Sequence, residues 1–190
     1  TEICDGMFAN CKNLESVMIP NTITRIGSYA FDGCTALVDI AIPSSVVNIL
    51  ECAFRNTGWH NKQADGLLYL DGWLIGYKGD GPKGDLVVAD GTVGIASDAF
   101  NSCSAITSAE IKASIIDKEA FYGCSKLNNL VLPNGFRRID SYAFSSCDSL
   151  TDVYYTGSEA EWQKIEIDNE GDLNANLLNA TIHYNYVPEE

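Results

Sequence analysis

No stretch of this 190-residue chain approaches the ~18 consecutive apolar residues of a membrane-crossing helix, so no direct membrane insertion is expected of this segment. Basic charge is scarce. Twelve lysines and arginines stand against 26 aspartates and glutamates, for a net charge of -14. Nucleic acid, whose phosphates demand a basic face, is thereby excluded as a partner. Histidine occurs only at His60 and His183, far apart in the chain, and no C-x-x-C or H-x-x-x-H spacing offers a zinc site. The glycine-rich residues 79–84 lack the lysine and hydroxyl residue that end a phosphate-binding loop. Asp168, Glu170 and Asp172, like Asp80, Asp85 and Asp90, lack the glycine and distal glutamate of a calcium loop and read as solvated turns. A nucleophilic cysteine needs a base in contact, yet the cysteine slot nearest His60 is filled by Thr57. No catalytic residue, metal ligand or cofactor is therefore assigned.

What the chain does have is a beat. Phe8, Phe31, Phe54, Phe100, Phe121 and Phe144 are separated by 23, 23, 46, 21 and 23 residues, and only Phe136 is out of step. Five residues before each stands an isoleucine: Ile3, Ile26, Ile49, Ile95, Ile116 and Ile139. The residue just before each is Met7, then Ala30, Ala53, Ala99, Ala120 and Ala143. Three after come Cys11, Cys34, Thr57, Cys103, Cys124 and Cys147; six after come Leu14, Leu37, His60, Ile106, Leu127 and Leu150. Self-similarity at this period marks a solenoid, in which each unit is too small to bury a core alone and must stack on its neighbours.

A short strand lies between one unit's leucine and the next phenylalanine, although none precedes Ile3. In Leu37-Val38-Asp39-Ile40-Ala41-Ile42-Pro43 the alternation places Ile40 and Ile42 inward and Asp39 and Ala41 outward. Pro20, Pro43 and Pro133 close such strands, because proline removes the next ladder donor. One strand per turn predicts parallel pairing, and the Ala-Phe-x-x-Cys segment is expected to return as a tight turn or single helical turn.

The pattern of Leu37, Ile40 and Ile42, then Ile49, Ala53 and Phe54, resembles the BspA-like, or Treponema pallidum type, leucine-rich repeats. The resemblance spans residues 3 to about 156, with Thr57 as a departure. It implies a right-handed leucine-rich-repeat solenoid, an α/β repeat with a parallel β-sheet on one face. It also implies a bacterial cell-surface or extracellular setting, and adhesion to host or neighbouring cells.

The expected organisation is repeats over residues 1–156, with an elongated repeat at 55–99, and a C-terminal cap over 157–190. The chain opens inside a repeat, which suggests further sequence upstream. In the elongated unit, residues 67–70, Asp71-Gly72 and residues 73–77 predict an inserted hairpin. Tyr77, 23 residues after Phe54, is a candidate for the vacant aromatic slot. Trp59, Tyr69, Trp73 and Tyr77 read either as sheet cover or as a binding ridge, with sheet cover favoured. In the cap, Ser158 and Glu161 spell a capping box for a helix over 159–165. A second helix is expected near 173–178 and a strand over 181–186. Trp162, Ile165, Leu173, Leu177 and Leu178 should then close the last turn.

Seven cysteines could suggest disulfides, but five share one repeat slot and read as reduced, compact core residues. With the interior occupied, function falls to the outward face of the sheet. One column is polar and includes Asp39 and Asp152. The other runs through Met18, Ala41, Val87, Val131 and Tyr154 and is interrupted by Glu110. An apolar stripe rimmed by polar residues marks a protein contact site, or else these are strand formers exposed one by one. The expected function is a non-catalytic binding module for a protein or glycan of host or neighbouring cells. The rivals are a structural spacer and a hydrolase whose carboxylates and histidine converge in a pocket.

Overall fold

The computed structural model describes residues 1–188; the last two residues of the expected cap lie outside them. The chain is a β-solenoid of about seven turns with little helix. Its first three turns carry strands β1 (Glu2–Ile3), β2 (Ser16–Met18), β3 (Arg25–Ile26), β4 (Asp39–Ala41) and β5 (Asn48–Ile49), and end at helix α1 (Gly58–Lys62). The inserted hairpin is β6 (Gly66–Leu70) with β7 (Trp73–Lys78). The later turns hold β8 (Gly84–Val87), β9 (Gly94–Ile95), β10 (Ile106–Glu110), β11 (Ile115–Ile116), β12 (Asn129–Leu132), β13 (Arg138–Ile139) and β14 (Asp152–Tyr155). The cap adds α2 (Glu159–Trp162), β15 (Glu166–Ile167), α3 (Ala175–Leu178) and β16 (Thr181–His183).

Two parallel ladders run along the stack rather than one. The anticipated ladder forms from β2 with β4, and from β8, β10, β12, β14 and β16 in that order. The second passes through the isoleucine slot, pairing β1, β3 and β5, and then β7, β9, β11, β13 and β15, with β6 added antiparallel to β7 at its edge. Its repeat strands are only two residues long, too short to show a period in sequence. Between isoleucine and leucine the chain turns without forming a helix. Two residues per turn are left-handed, at Tyr29, Cys52, Asp98, Glu119 and Tyr142 two places before the phenylalanine and at Asn10, Asn56, Ser102 and Ser146 two places after it. Such φ values cost an L-residue roughly 1–2 kcal/mol, so the stacking on either side must hold them.

The repeat slots are the core. Ile26, Ile49, Ile95, Ile116 and Ile139 are fully buried, as are all the repeat phenylalanines except Phe8. The rings form a column: Phe8 on Phe31 at 5.2 Å, Phe31 on Phe54 at 5.6 Å, Phe100 on Phe121 at 5.1 Å and Phe121 on Phe144 at 5.3 Å. Burying each ring contributes about 1.5–3 kcal/mol, with about 0.5–1.5 kcal/mol more from the ring pair. Three of the four buried cysteines also have a polar duty. The thiols of Cys34, Cys124 and Cys147 donate to the carbonyls of Phe8, Phe100 and Phe121 in the preceding turn, at 3.0, 3.3 and 3.1 Å. All seven cysteines are unbridged.

The beat breaks at Thr57. Its hydroxyl donates to the Phe54 carbonyl at 2.9 Å and accepts from the His60 amide at 3.1 Å, so it caps α1 and sends the chain out of the coil. Tyr77 takes the aromatic slot only on one side, stacking on Phe100 at 6.5 Å. Trp73 is buried, and Tyr69 accepts a hydrogen bond from the Ala89 amide at 3.1 Å, so these aromatics cover the core rather than form a ridge. The hairpin pairs with β9 and not β5, yet its Leu70 and Trp73 pack with the first stack, and the interior forms two clusters. One holds Ile3, Ile26 and Ile49 and the other Ile95, Ile116 and Ile139.

A polar junction ties the two stacks together. The Asp117 carboxylate, fully buried, accepts from the Ile49 amide at 2.9 Å and from Asn48 Nδ2 at 3.0 Å, and pairs with Arg138. Arg138 in turn donates to the Val47 carbonyl at 2.9 Å. The cap closes the far end by imitation. Inside the stack a phenylalanine amide donates to the alanine carbonyl of the next turn, as Phe121 does to Ala143 at 2.9 Å. Phe144 has no next turn, and its amide donates to Asn174 Oδ1 at 3.0 Å instead. Trp162, Ile165 and Leu177 seal the core as expected, Leu173 is half-buried, and Leu178 points to solvent at 42% exposure.

Candidate functional site

The strand register brings the outward residues into two true columns. Asp85, Ser108, Asn129, Asp152 and Thr181 are successive partners across five strands, and so are Val87, Glu110, Val131, Tyr154 and His183. Alternation explains the pattern: Leu86, Ala109, Leu130 and Val153, between the columns, are buried. Met18, Asp39 and Ala41 are not part of this face. They lie on the two-stranded β2–β4 sheet, which is not hydrogen-bonded to β8. The hairpin turn intervenes there, with Asp71 accepting from the Ile42 amide at 2.7 Å. The expected eight-residue face is thus two surfaces, and Val87, Glu110, Val131, Asp152 and Tyr154 form the larger.

Its chemistry changes along its length. At the β8 end Val87 is 52% exposed, and the Ser108 hydroxyl donates to Asp85 at 2.6 Å. In the middle Glu110 faces Lys112 at 3.6 Å, and Lys112 also reaches Asp90 at 3.6 Å. At the far end the Tyr154 ring stacks on His183 at 4.6 Å and leans on Tyr186 at 4.8 Å. His183 Nε2 lies 2.7 Å from Asp152 Oδ1, and this contact holds the Asp152 carboxyl below its usual range. Sequence reading missed His183 and Tyr186 as members of this face. The step from Tyr154 to His183 is 29 residues, outside the beat, and only the strand-like alternation after Thr181 pointed to them.

A second recess sits at the break in the ring column. Phe54 and Tyr77 both line a cleft of about 230 Å³, as do Cys52, His60, Ser97 and Asp98. A thiol, an imidazole and a carboxyl thus share one recess, but the thiol is not activated. Burial pushes the Cys52 thiol up, and the His60 ring contacts Asn61 at 3.4 Å. Among the described residues no group of three or more metal-ligating side chains is placed to hold an ion.

The family model for the BspA type leucine-rich repeat region matches residues 1–64 and 86–169, in six copies. The unmatched gap is the hairpin. Solved structures similar to this chain include a T. pallidum leucine-rich repeat protein, at 25% identity over 80% of this chain and 61% of that one, TM-score 0.36. A leucine-rich cell surface protein of Faecalibacterium prausnitzii is 21% identical over 88% of this chain and 66% of that one, TM-score 0.36. The pneumococcal vaccine antigen PcpA is 18% identical over 90% of this chain and 56% of that one, TM-score 0.47. The chain therefore spans less than two thirds of each of these relatives. No curated protein matches it in sequence.

Proposed function

The chain belongs to the BspA-type leucine-rich-repeat family, a family of protein-interaction modules, and from that premise we propose that it is a non-catalytic adhesion module of a bacterial surface or secreted protein. Its contact face is the pair of columns on β8 to β16. The observation that supports this most is the five-strand register, which lines up Val87, Glu110, Val131, Tyr154 and His183 on a rigid sheet. The Tyr154–His183–Tyr186 cluster supplies the aromatic anchor around which interface energy concentrates. The acidic rim selects partners with basic groups and, at a net charge of -14, repels acidic ones. The partner is a protein, or a glycan displayed on one, on host or neighbouring cells.

The test is quantitative capture from cell-surface extracts on immobilised wild type and on the Glu110→Lys, Tyr154→Ala double variant. Loss of an anchor of this kind should weaken retention roughly 30-fold. Identical retention by both would discard the sheet face and favour a structural spacer.

A further inference from the structure

Phe136, the phenylalanine off the beat, occupies a slot held in other turns by Ile23, Val46, Thr92 and Ala113. It is 4% exposed and lines an open groove of about 590 Å³ where the first stack meets β13 and the cap. Ile115 and Val47 add apolar wall, Val47 being 41% exposed. None of the groove's residues belongs to the two columns of the sheet face.

The groove gathers positive charge on an otherwise acidic protein. Arg138 is already committed to Asp117 and the Val47 carbonyl. Arg137 and Lys164, both exposed, are different. Among the described residues neither is in an ion pair, and Arg137 has a single long contact, 3.5 Å to Ser114 Oγ. Of the two carboxylates in the lining, Glu161 is turned back on Ser158, whose amide and hydroxyl both donate to it at 2.8 Å. That leaves Glu166 as the one uncommitted carboxylate against two uncommitted cations.

We propose that this groove captures the free C-terminus of a partner polypeptide that ends in an apolar residue. The terminal carboxylate is held by Arg137 and Lys164, the guanidinium supplying the forked donors that match a carboxylate. The last side chain packs against Phe136, Ile115 and Val47. The groove is open along one side, so the rest of the partner chain can leave. Its volume is that of a site for a ligand of a few residues, roughly 300–1,000 Å³. Capture of a terminal carboxylate is an established mode of peptide recognition, and the surrounding acidic surface disfavours anions landing elsewhere.

The experiment titrates isotope-labelled full chain with three probes and follows the amides of Val47, Gly135 and Phe136. The probes are N-acetyl-Gly-Gly-Leu as free acid, the same peptide as C-terminal amide, and 4-methylpentanoate. The free-acid peptide should give saturable shifts at those amides, and the amide form should bind at least about tenfold more weakly. Arg137→Glu and Lys164→Glu should each weaken the free acid by about tenfold or more and leave the unfolding midpoint unchanged. Equal binding of the amide, shifts confined to other amides, or no saturation at millimolar peptide would overturn the proposal. So would 4-methylpentanoate binding as tightly as the peptide, which would make this a site for a free small acid.

Discussion

The two stacks use the same repeat but live under different conditions. In the second, Phe100, Phe121 and Phe144 are fully buried and the end is closed by Asn174, Trp162 and Leu177. In the first, Phe8 is half-buried, Met7 is 58% exposed and Cys11 is exposed, although they fill the slots that bury Phe31, Ala30 and Cys34 completely. Burial in a solenoid is conferred by the adjacent turn, not by the residue type alone. The outward sheets of the two stacks differ as well. The long five-strand sheet belongs wholly to the closed stack, while the first stack carries only the short β2–β4 pair.

The largest effect should come from testing that rule inside the rings. Phe121→Ala, with stacked rings on both sides, should cost about 3–5 kcal/mol in urea unfolding, whereas Phe8→Ala should cost less than about 1.5 kcal/mol. Equal costs would mean that a ring with one stacked neighbour is held as firmly as a ring with two. Next is the junction. Asp117→Ala removes the acceptor of the Ile49 amide and leaves Arg138 without its partner, at a cost of about 3 kcal/mol. Burial raises the Asp117 carboxyl to about 7, although Ile49, Arg138 and Asn48 pull it down. The folded chain therefore holds this proton at pH values where the unfolded chain, near 3.9, has lost it. Its contribution is full below about pH 4 and declines as pH rises through about 7. Unfolding measured from pH 5 to 8 should show that decline in wild type and a flatter profile in Asp117→Asn.

At the closed end, Asn174→Ala strands the Phe144 amide and the carbonyls of Asp140 and Asp168 that the Asn174 amide group serves. The expected loss is about 1–3 kcal/mol, with Asn176→Ala, a more exposed neighbour, as a neutral control. The smallest effect is expected on the sheet face itself. Val87→Ser should change stability by less than about 0.5 kcal/mol, because its side chain already faces solvent. A larger loss would show that the face is spent on folding.

Most of this architecture is legible in the chain because stacking forces identity at the buried slots. Isoleucine, alanine, phenylalanine and cysteine recur because each meets its own copy one turn away. The left-handed positions at Tyr29, Cys52, Asp98, Glu119 and Tyr142 were hidden for the opposite reason: their side chains point outward, so backbone shape repeats while residue type does not. The junction was also out of reach. Asp117 and Asn48 are 69 residues apart and fill different slots, one just after and the other just before a repeat isoleucine. Of the outward face, Val87, Glu110, Val131, Asp152 and Tyr154 followed from alternation. Met18, Asp39 and Ala41 were separated from them by a hairpin whose pairing partner, β9 rather than β5, is a matter of tertiary packing. The Asn174 plug replaces backbone by side chain, which no repeat alignment can show.

The Asp117 carboxylate links two stacks, and the five-strand sheet is built on the second. Native-state hydrogen exchange in wild type and Asp117→Ala tests this directly. Protection should fall at the amides of Ile26 and Leu50 and persist at those of Leu130 and Val153. A uniform fall at all four would contradict it, because the stacks would then open as one unit.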